Sequence, residues 1–308
     1  MRSVYKSKID LFFKSISRVI KGHEDNIKLL FAAFLSRGHV LLEGLPGMGK
    51  TTLSLAFAKL TGLEFKRIQG TSDMLPADII GAFIPQGKNG EMVFLKGPVF
   101  CDVLLVDEIN RMNPRTQSAL LEAMEERHVT VEGHTYPLSP LFFVIATQNP
   151  VESYGTFPLP ASQLDRFMLR IQINRVPEEI ERQLLRDGDI RKKIDSLSPV
   201  FNKEELFKMI DEAKKVKVSR DIEDYILALG RAVRSHPVFS SELSTRALLH
   251  LVEIAKSIAY IEGRNYVVPD DVKASFKPLV IHRIGLQMIL QDREKLLDEI
   301  KSSVKPPL

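Results

Sequence analysis

The feature that most constrains the fold of this chain is a glycine-rich octapeptide, Gly44-Leu45-Pro46-Gly47-Met48-Gly49-Lys50-Thr51. It fits the pattern G-x-x-x-x-G-K-[ST] in full. The apolar run 39–43 (HVLLE) precedes it, and residues 52–60 (TLSLAFAKL) have the composition of a helix. Strand, turn and helix in this order direct backbone N–H groups and a helix N-terminus at one point, where phosphate oxygens bind. An incidental lysine in a glycine-rich turn is the alternative, and the flanking strand and helix argue against it.

Short apolar runs predict the strands of a parallel sheet in the first half of the chain. Four are strong candidates, at residues 39–43, 101–106, 141–146 and 168–173, and residues 64–69 form a weaker fifth. The runs VLL, VLLV and FFVIA are apolar at successive positions, which is typical of strands buried on both faces. Helical stretches at 52–60 and 116–127 separate the strands, so we predict an α/β domain.

The pattern changes near residue 176, beyond which helical periodicity dominates, with a looser connector at 195–200. Residues typical of helix N-termini recur there: Asn202 with Glu205, Ser219, Ser244 and Pro269. They predict an all-α bundle of roughly four helices. We therefore expect an α/β nucleotide-binding domain over residues 1–190 and a helical domain over residues 191–308.

Two acidic residues, Asp107 and Glu108, follow the apolar run VLLV. Ligands bind at the carboxyl ends of strands in open α/β sheets, so both acids should face the same crevice as the glycine-rich loop. Asp107 fits a residue that holds Mg²⁺, and Glu108 fits a general base for an attacking water. A solvated acidic turn is the alternative, which the pairing with the glycine-rich loop disfavours.

A third polar strand end is Thr147-Gln148-Asn149, after the run FFVIA. Asn149 could orient a water or donate a hydrogen bond to a γ-phosphate. It could equally serve the turn that Asn149-Pro150 predicts. The residues alone leave the two interpretations even.

Taken together, these segments resemble the AAA+ ATPases and, among them, the MoxR family. The resemblance runs from about residue 19 to about residue 284 and is carried by GLPGMGKTTL, VDEINR with NPRTQSALLEAMEER, VIATQNP, GTFPLPASQLDRF and ELSTRALLHLVEIAKSIAYIEGRNYVVPDDV. It implies a P-loop AAA+ core with a parallel sheet of strand order 5-1-4-3-2, followed by a C-terminal all-α lid. The Asn149 strand then lies between those of the P-loop and Asp107, which places Asn149 at the γ-phosphate as sensor 1.

The resemblance also implies roles for two arginines. Arg166, in Asp165-Arg166-Phe167, aligns with the family's arginine finger, which would reach the ATP of a neighbouring subunit. An ion pair with Asp165 is the alternative. Arg246 matches sensor 2 at the start of a lid helix, where it would carry the lid onto the phosphates; a surface arginine in the first helical turn is the alternative.

A complete ATP site with Mg²⁺ follows from these matches. The catalytic residues would be Lys50, Glu108, Asn149 and Arg166, with Thr51 and Asp107 at the metal. The nucleotide-binding residues would be Gly44, Leu45, Pro46, Gly47, Met48, Gly49, Lys50, Thr51, Thr52 and Arg246. Gly22-His23 should lie near the adenine, and Arg111 near a subunit boundary.

Two stretches resemble family insertions. Residues 81–97 should form a hairpin that interrupts a helix, with Gly-Lys-Asn-Gly at its turn, and residues 129–138 should form a second hairpin around Glu132-Gly133. In related ring ATPases such loops point at the pore or at the client. Plain surface hairpins are the alternative.

The resemblance implies an ATPase that acts as a homo-oligomer, a hexameric ring, in chaperone-like remodelling, assembly or cofactor insertion of a protein client. A partner with a von Willebrand factor A-type domain is a further expectation. One competing hypothesis is a nucleic-acid motor, although the net charge is only +4 and no added DNA-binding module is visible. The other is a non-hydrolysing nucleotide switch, which the intact set of catalytic residues disfavours.

Composition sets the expected location. The single cysteine, Cys101, cannot form a disulfide within this chain and fits a reducing compartment. No run of eighteen apolar residues occurs, so we expect no membrane span and a cytoplasmic protein.

Overall fold

The computed structural model describes residues 4–86, 91–150, 155–188, 190–239, 243–285 and 292–307. Its helices are α1 (Lys6–Ile16), α2 (Glu24–Leu35), α3 (Lys50–Thr61), α4 (Pro76–Ile80), α5 (Pro114–Glu126), α6 (Ala161–Leu164), α7 (Glu178–Asp187), α8 (Ile190–Asp195), α9 (Lys203–Lys214), α10 (Arg220–Arg234), α11 (Thr245–Ile261), α12 (Pro269–Val280) and α13 (Arg293–Ser303). Its strands are β1 (Val40–Glu43), β2 (Phe65–Gln69), β3 (Gly81–Gln86), β4 (Glu91–Lys96), β5 (Val103–Asp107), β6 (His128–Val131), β7 (His134–Pro137), β8 (Phe143–Gln148) and β9 (Leu169–Gln172).

A five-stranded parallel sheet holds the strands predicted from the apolar runs, in the order β2-β5-β8-β1-β9. Numbered among themselves, these strands read 5-1-4-3-2 from β9 to β2, which confirms the predicted order. Every residue of β1 and β5 is buried, as the continuous apolar runs indicate. The edge strand β2 is only partly buried, which is why its sequence pattern is weaker. Because β8 lies between β1 and β5, the carboxyl ends of all three strands meet at one edge.

The two predicted hairpins are present as β3–β4 and β6–β7. Glu132 and Gly133 turn the second hairpin with positive φ angles of 48° and 80°. Phe94 of the first hairpin stacks on Tyr136 of the second, with ring centroids 4.2 Å apart. The first hairpin does not interrupt a helix: α4 precedes it, but turns lead directly from it to β5. Its predicted turn, Gly-Lys-Asn-Gly at 87–90, lies outside the described residues.

The second half is helical, and its capping residues act as predicted. Asn202 and Glu205 form a reciprocal capping box at α9, and Ser219 and Ser244 accept from backbone N–H groups at α10 and α11. The bundle exceeds the roughly four predicted helices, because α8 and α13 add to α9–α12. Helix α13 is largely polar in sequence and buries only Leu297 and Ile300, so its periodicity is weak.

One apolar core extends from the sheet into the helical half. Phe12 of α1 stacks on Phe31 of α2 at 4.7 Å, and Phe31 stacks on Phe201 just before α9 at 5.9 Å. The same cluster continues through the buried faces of α10, α11 and α12. Lys203 of α9 also pairs with the buried Asp102 carboxylate at 2.8 Å. The division of the chain at residue 190 therefore remains a prediction. Within the described residues, no helix is both long and apolar enough for a bilayer span.

Candidate functional site

The glycine-rich loop joins the buried end of β1 to the N-terminus of α3. Gly49 is the N-cap of α3, and Gly47 and Gly49 have φ angles of 80° and 84°, a region that side chains disfavour. At Gly44, a Cβ atom would lie 2.4 Å from the Ile173 carbonyl oxygen. These positions therefore favour glycine. Gly47, Gly49 and the start of α3 line the cleft, and a helix N-terminus at such a place suits anion binding.

Lys50 lies over this loop in the first turn of α3. Its Nζ donates to the carbonyl oxygens of Gly44 at 2.5 Å and Leu45 at 3.0 Å. Burial lowers the pKa of Lys50, while Asp107, Glu108 and Glu43 raise it. The three acids favour the charged form of the Lys50 amine, which places a positive charge beside the cleft where a polyphosphate would bind.

Asp107 ends β5 beside the start of α3. Thr51 Oγ1 lies 3.3 Å from each Asp107 carboxylate oxygen, and Thr147 Oγ1 donates to Oδ1 at 3.2 Å. Asp107 is only 5% exposed, so its carboxylate is held in place on β5. A hydroxyl and a carboxylate are the hard oxygen ligands that Mg²⁺ prefers, so Thr51 and Asp107 fit that ion.

Glu108 follows in the left-handed region, with φ at 58°. Non-glycine residues rarely occupy this region, and such strain concentrates at functional sites. The Glu108 N–H donates to Thr147 Oγ1 at 3.0 Å, which ties the strained residue to β8. Lys50, Thr51, Asp107, Glu108 and Asn149 all line one cleft. The structure thus brings the predicted P-loop, acidic and Asn149 positions together at the carboxyl edge of the sheet.

A mostly apolar pocket adjoins the loop on its other side. It is lined by Val19, Ile20, His23, Met48, Thr52, Leu53, Val176, Leu184 and Ile190, among others. Burial lowers the pKa of His23, which favours its neutral form, although Glu24 raises it. The lining also includes the charged residues Lys21, Arg175 and Glu181. A mostly apolar pocket beside a phosphate-binding loop suits a nucleotide base, and His23 lies in it, as expected of a residue near the adenine.

Two further residues at this cleft were missed by the sequence analysis, and both lie on β2. Arg67 Nε lies 2.7 Å from Asp107 Oδ2, and Gln69 Nε2 donates to Glu108 Oε2 at 2.7 Å. Arg67 and Gln69 are two apart, so they project from the same face of the strand. Arg111, expected near a subunit boundary, contacts Glu108 Oε2 at 3.1 Å. No local signal marks Arg67 and Gln69, because the polar residues of β2 (FKRIQ) do not alternate with apolar ones.

Comparison with known proteins identifies the family. The model of the ATPase family associated with various cellular activities (AAA) matches residues 39–169, and that of the AAA lid domain matches residues 231–302. The chain is 35% identical to chaperone MoxR1 of Mycobacterium tuberculosis over 300 residues, which cover 94% of this chain and 77% of that protein. The chain belongs to the MoxR family of AAA+ ATPases.

Other relatives match this MoxR-family chain along nearly its whole length. The protein YeaC of Bacillus subtilis is 41% identical over 297 residues, covering 95% of this chain and 93% of YeaC. A crystal structure of a candidate ATPase from Cytophaga hutchinsonii is 35% identical, with a TM-score of 0.89 over 99% of this chain and 96% of that one. The similarity to these proteins therefore covers both the α/β part and the helical part of the chain.

Arg166 and Arg246 of this MoxR-family chain meet at a third residue, Glu125. Arg166 Nη1 pairs with Glu125 Oε2, and Arg246 Nη1 lies 3.3 Å from Glu125 Oε1. Glu125 follows Met124, whose carbonyl contacts the His39 ring at 3.1 Å, at the amino end of β1. The P-loop follows the other end of β1. A strand rises roughly 3.3 Å per residue, so His39 before β1 and Gly44 after it lie on the order of 15 Å apart.

The structure therefore does not bring Arg166 or Arg246 to the P-loop of its own chain. For Arg246 this differs from the expected lid contact on its own phosphates. The Asp165–Arg166 ion pair considered above does not form either: Asp165 Oδ1 pairs with Arg283 Nε at 2.6 Å. Glu125 is the residue that sequence reasoning missed, because nothing local links it to positions 166 and 246.

Proposed function

We propose that this chain binds MgATP in the cleft between β1, β5 and β8 and hydrolyses it as part of a ring. The observation that carries the proposal is the convergence on one cleft of Lys50 and Thr51 from the start of α3, Asp107 and Glu108 from the end of β5, and Asn149 after β8. Membership of an ATPase family supports it.

The side chains at the cleft divide the chemistry between them. Lys50 and the loop amides bind the β- and γ-phosphate oxygens. Thr51 and Asp107 hold Mg²⁺, which offsets charge on those oxygens when bound. Glu108 accepts the proton of the attacking water, and the amide of Asn149 orients that water or donates to the γ-phosphate.

Arg166 and Arg246 supply positive charge to the ATP of a neighbouring copy. Their place at the amino edge of the sheet supports this role, because they lie far from the P-loop of their own chain. Hydrolysis then requires assembly, and a homo-hexamer is the arrangement that the family resemblance favours.

The client is a protein that the ring remodels, assembles or loads with a cofactor, together with a partner that has a von Willebrand factor A-type domain. This part of the proposal rests on family membership and on the name of chaperone MoxR1, not on a particular residue. The exposed Met92 and Leu95 of the first hairpin are available for such contacts.

The decisive experiment compares wild type with Glu108→Gln. We expect wild type to release phosphate from MgATP in a manner that rises with protein concentration. Glu108→Gln should bind ATP with unchanged affinity and lose turnover by roughly 10²–10⁴, the contribution of a general base. The exposed Glu132 offers a matched control, Glu132→Gln, which should stay active.

Three outcomes would count against the proposal. Absence of phosphate release at every protein concentration would favour a nucleotide switch. Salt-sensitive stimulation by DNA would favour a nucleic-acid motor. Full activity of Glu108→Gln would remove the assigned base. If Glu108→Gln behaves as expected, proteins that it retains in the ATP-bound state identify the client.

A further inference from the structure

We propose that Glu125 is a positioning residue that holds Arg166 and Arg246 at a fixed separation, so that both reach one phosphate group of a neighbouring copy. This inference rests on the proposed function, in which the two arginines act across a subunit boundary. It adds a third residue, which contacts neither the nucleotide nor the attacking water.

The geometry at Glu125 is that of a bridge. The residue lies in the last turn of α5, and its two carboxylate oxygens each contact one arginine: Oε2 contacts Arg166 Nη1, and Oε1 lies 3.3 Å from Arg246 Nη1. Each guanidinium has five N–H donors, so each keeps several after contacting Glu125. A phosphate can therefore bind both guanidiniums while the bridge remains.

The charge balance requires such a bridge. Two guanidiniums placed side by side repel each other, and one carboxylate between them offsets that repulsion. The side chains of Arg166, Glu125 and Arg246 are 34%, 35% and 59% exposed. The group is thus open to a neighbouring molecule, and it still carries one net positive charge with which to attract a phosphate.

The backbones beneath the two arginines are already fixed. Arg283 Nη2 donates to the carbonyl oxygens of Asp165 at 3.3 Å and of Phe167 at 2.8 Å, on either side of Arg166. Arg246 lies in the first turn of α11, which Ser244 caps. What is left free is the long side chains, and Glu125 is the group that orders them. Ordering before contact lowers the entropy lost when phosphate binds.

A latch is the competing interpretation of the same contacts. In a latch, Glu125 would withhold the arginines from phosphate, and its removal would speed hydrolysis. In the positioning role, its removal slows hydrolysis. The two interpretations therefore predict changes of opposite sign in kcat.

The test uses the full chain at a concentration where wild type is assembled and active. Glu125→Ala is compared with Glu126→Gln, whose carboxylate is exposed on the same turn and forms no ion pair among the described residues. We expect Glu125→Ala to lower kcat by roughly 10- to 100-fold, as expected for misplaced catalytic groups. Thermal midpoint and ATP affinity of the dilute protein should stay at wild-type values, and Glu126→Gln should behave as wild type.

Two further variants make the result specific. Glu125→Gln keeps the shape of the side chain but loses its charge, so its kcat should lie between those of wild type and Glu125→Ala. It replaces the alanine variant in the test if Glu125→Ala fails to fold. In a chain that already carries Arg166→Ala, adding Glu125→Ala should lower kcat little further, because the two residues act as a unit.

The outcomes separate this inference from the proposed function. Wild-type or raised kcat in Glu125→Ala, with Arg166→Ala inactive, would overturn the inference and leave the shared site intact. Normal hydrolysis by Arg166→Ala would overturn both.

Discussion

Arg283 pairs with Asp165 across 2.6 Å and so joins the helical half of the chain to the segment that holds Arg166. Arg283 is nearly buried, and burial lowers its pKa although Asp165 raises it. A buried guanidinium satisfied by a carboxylate and backbone carbonyls is a rigid support. It keeps Asp165 away from Arg166, whose side chain pairs with Glu125 instead.

Arg166→Ala should abolish assembly-dependent hydrolysis. Arginine fingers contribute on the order of 10³–10⁵ in rate, so the loss should exceed assay noise by a wide margin. ATP affinity should not change, because Arg166 lies away from its own P-loop. Mixing the variant with wild type at increasing ratios should give a nonlinear loss of phosphate release. The exposed Arg231 on α10 provides the control Arg231→Ala, and a linear mixing curve would contradict a shared site.

Gln69→Leu should slow hydrolysis without weakening ATP binding. The amide donates to Glu108 Oε2 at 2.7 Å, and without it Arg111 is the one remaining side chain, among those that the structure describes, in contact with the carboxylate. We expect kcat to fall by about tenfold, part of the 10²–10⁴ that a general base contributes. Lys66→Ala, on the opposite face of β2, is the matched control. An unchanged kcat in Gln69→Leu would show that Glu108 needs no such restraint.

Arg67→Met should change the Mg²⁺ requirement for nucleotide binding. The Arg67 guanidinium contacts the same Asp107 carboxylate that we assign to Mg²⁺, so the two cations compete for it. The Arg67 side chain is half exposed, so the ion pair should be worth about 0.2–1 kcal/mol, and the Mg²⁺ concentration for half-maximal binding should fall by roughly 1.4- to fivefold. Titrating Mg²⁺ against a fluorescent ATP analogue measures this. A raised requirement would mean that Arg67 orients Asp107 for the metal instead.

Acid should destabilise the protein through its buried histidines. Burial lowers the pKa of His39 to about 3 and of His250 to about 4, with nearby arginines adding to both shifts, and lowers the pKa of His282 well below 6.5. The folded protein therefore binds fewer protons than the unfolded chain below pH 6.5. The contribution of these histidines to the free energy of unfolding is therefore fully present above pH 6.5. It is lost as the pH falls towards 4, by about 1.4 kcal/mol per pH unit for each histidine.

Urea unfolding at several pH values between 7.5 and 5 measures this slope. His39→Gln should lower the slope of the unfolding free energy against pH by the amount that one proton contributes, even if the variant is less stable at neutral pH. The exposed His134 supplies the control His134→Gln, which should keep the wild-type slope. A free energy of unfolding that stays flat from pH 6.5 to 5 would contradict the assignment.

Local sequence patterns were enough to predict the elements that form the cleft. The strand ends carrying Asp107 and Asn149 and the loop before Lys50 follow from apolar runs and glycine spacing, which act over a few residues. The caps at Asn202, Ser219 and Ser244 are local in the same way, and the structure contains all three.

Positions that depend on distant packing could not be predicted. A motif places Arg246 at the start of a helix, but the packing of α11 against α2, α9 and α12 decides which surface that helix end reaches. Glu125, Arg67 and Gln69 acquire their partners only when β2, α5 and α11 are assembled. The sequence pattern therefore predicted the cleft, whereas the contacts of Arg166 and Arg246 with Glu125 became visible only in the three-dimensional structure.

The stack of Phe12, Phe31 and Phe201, with Lys203 on Asp102, has a mechanical consequence. Swinging the helical half away from the sheet would expose these aromatic rings to water, so we expect each subunit to turn as one stiff block. In the proposed ring, nucleotide-driven movement would then take place between neighbouring copies and not within one copy.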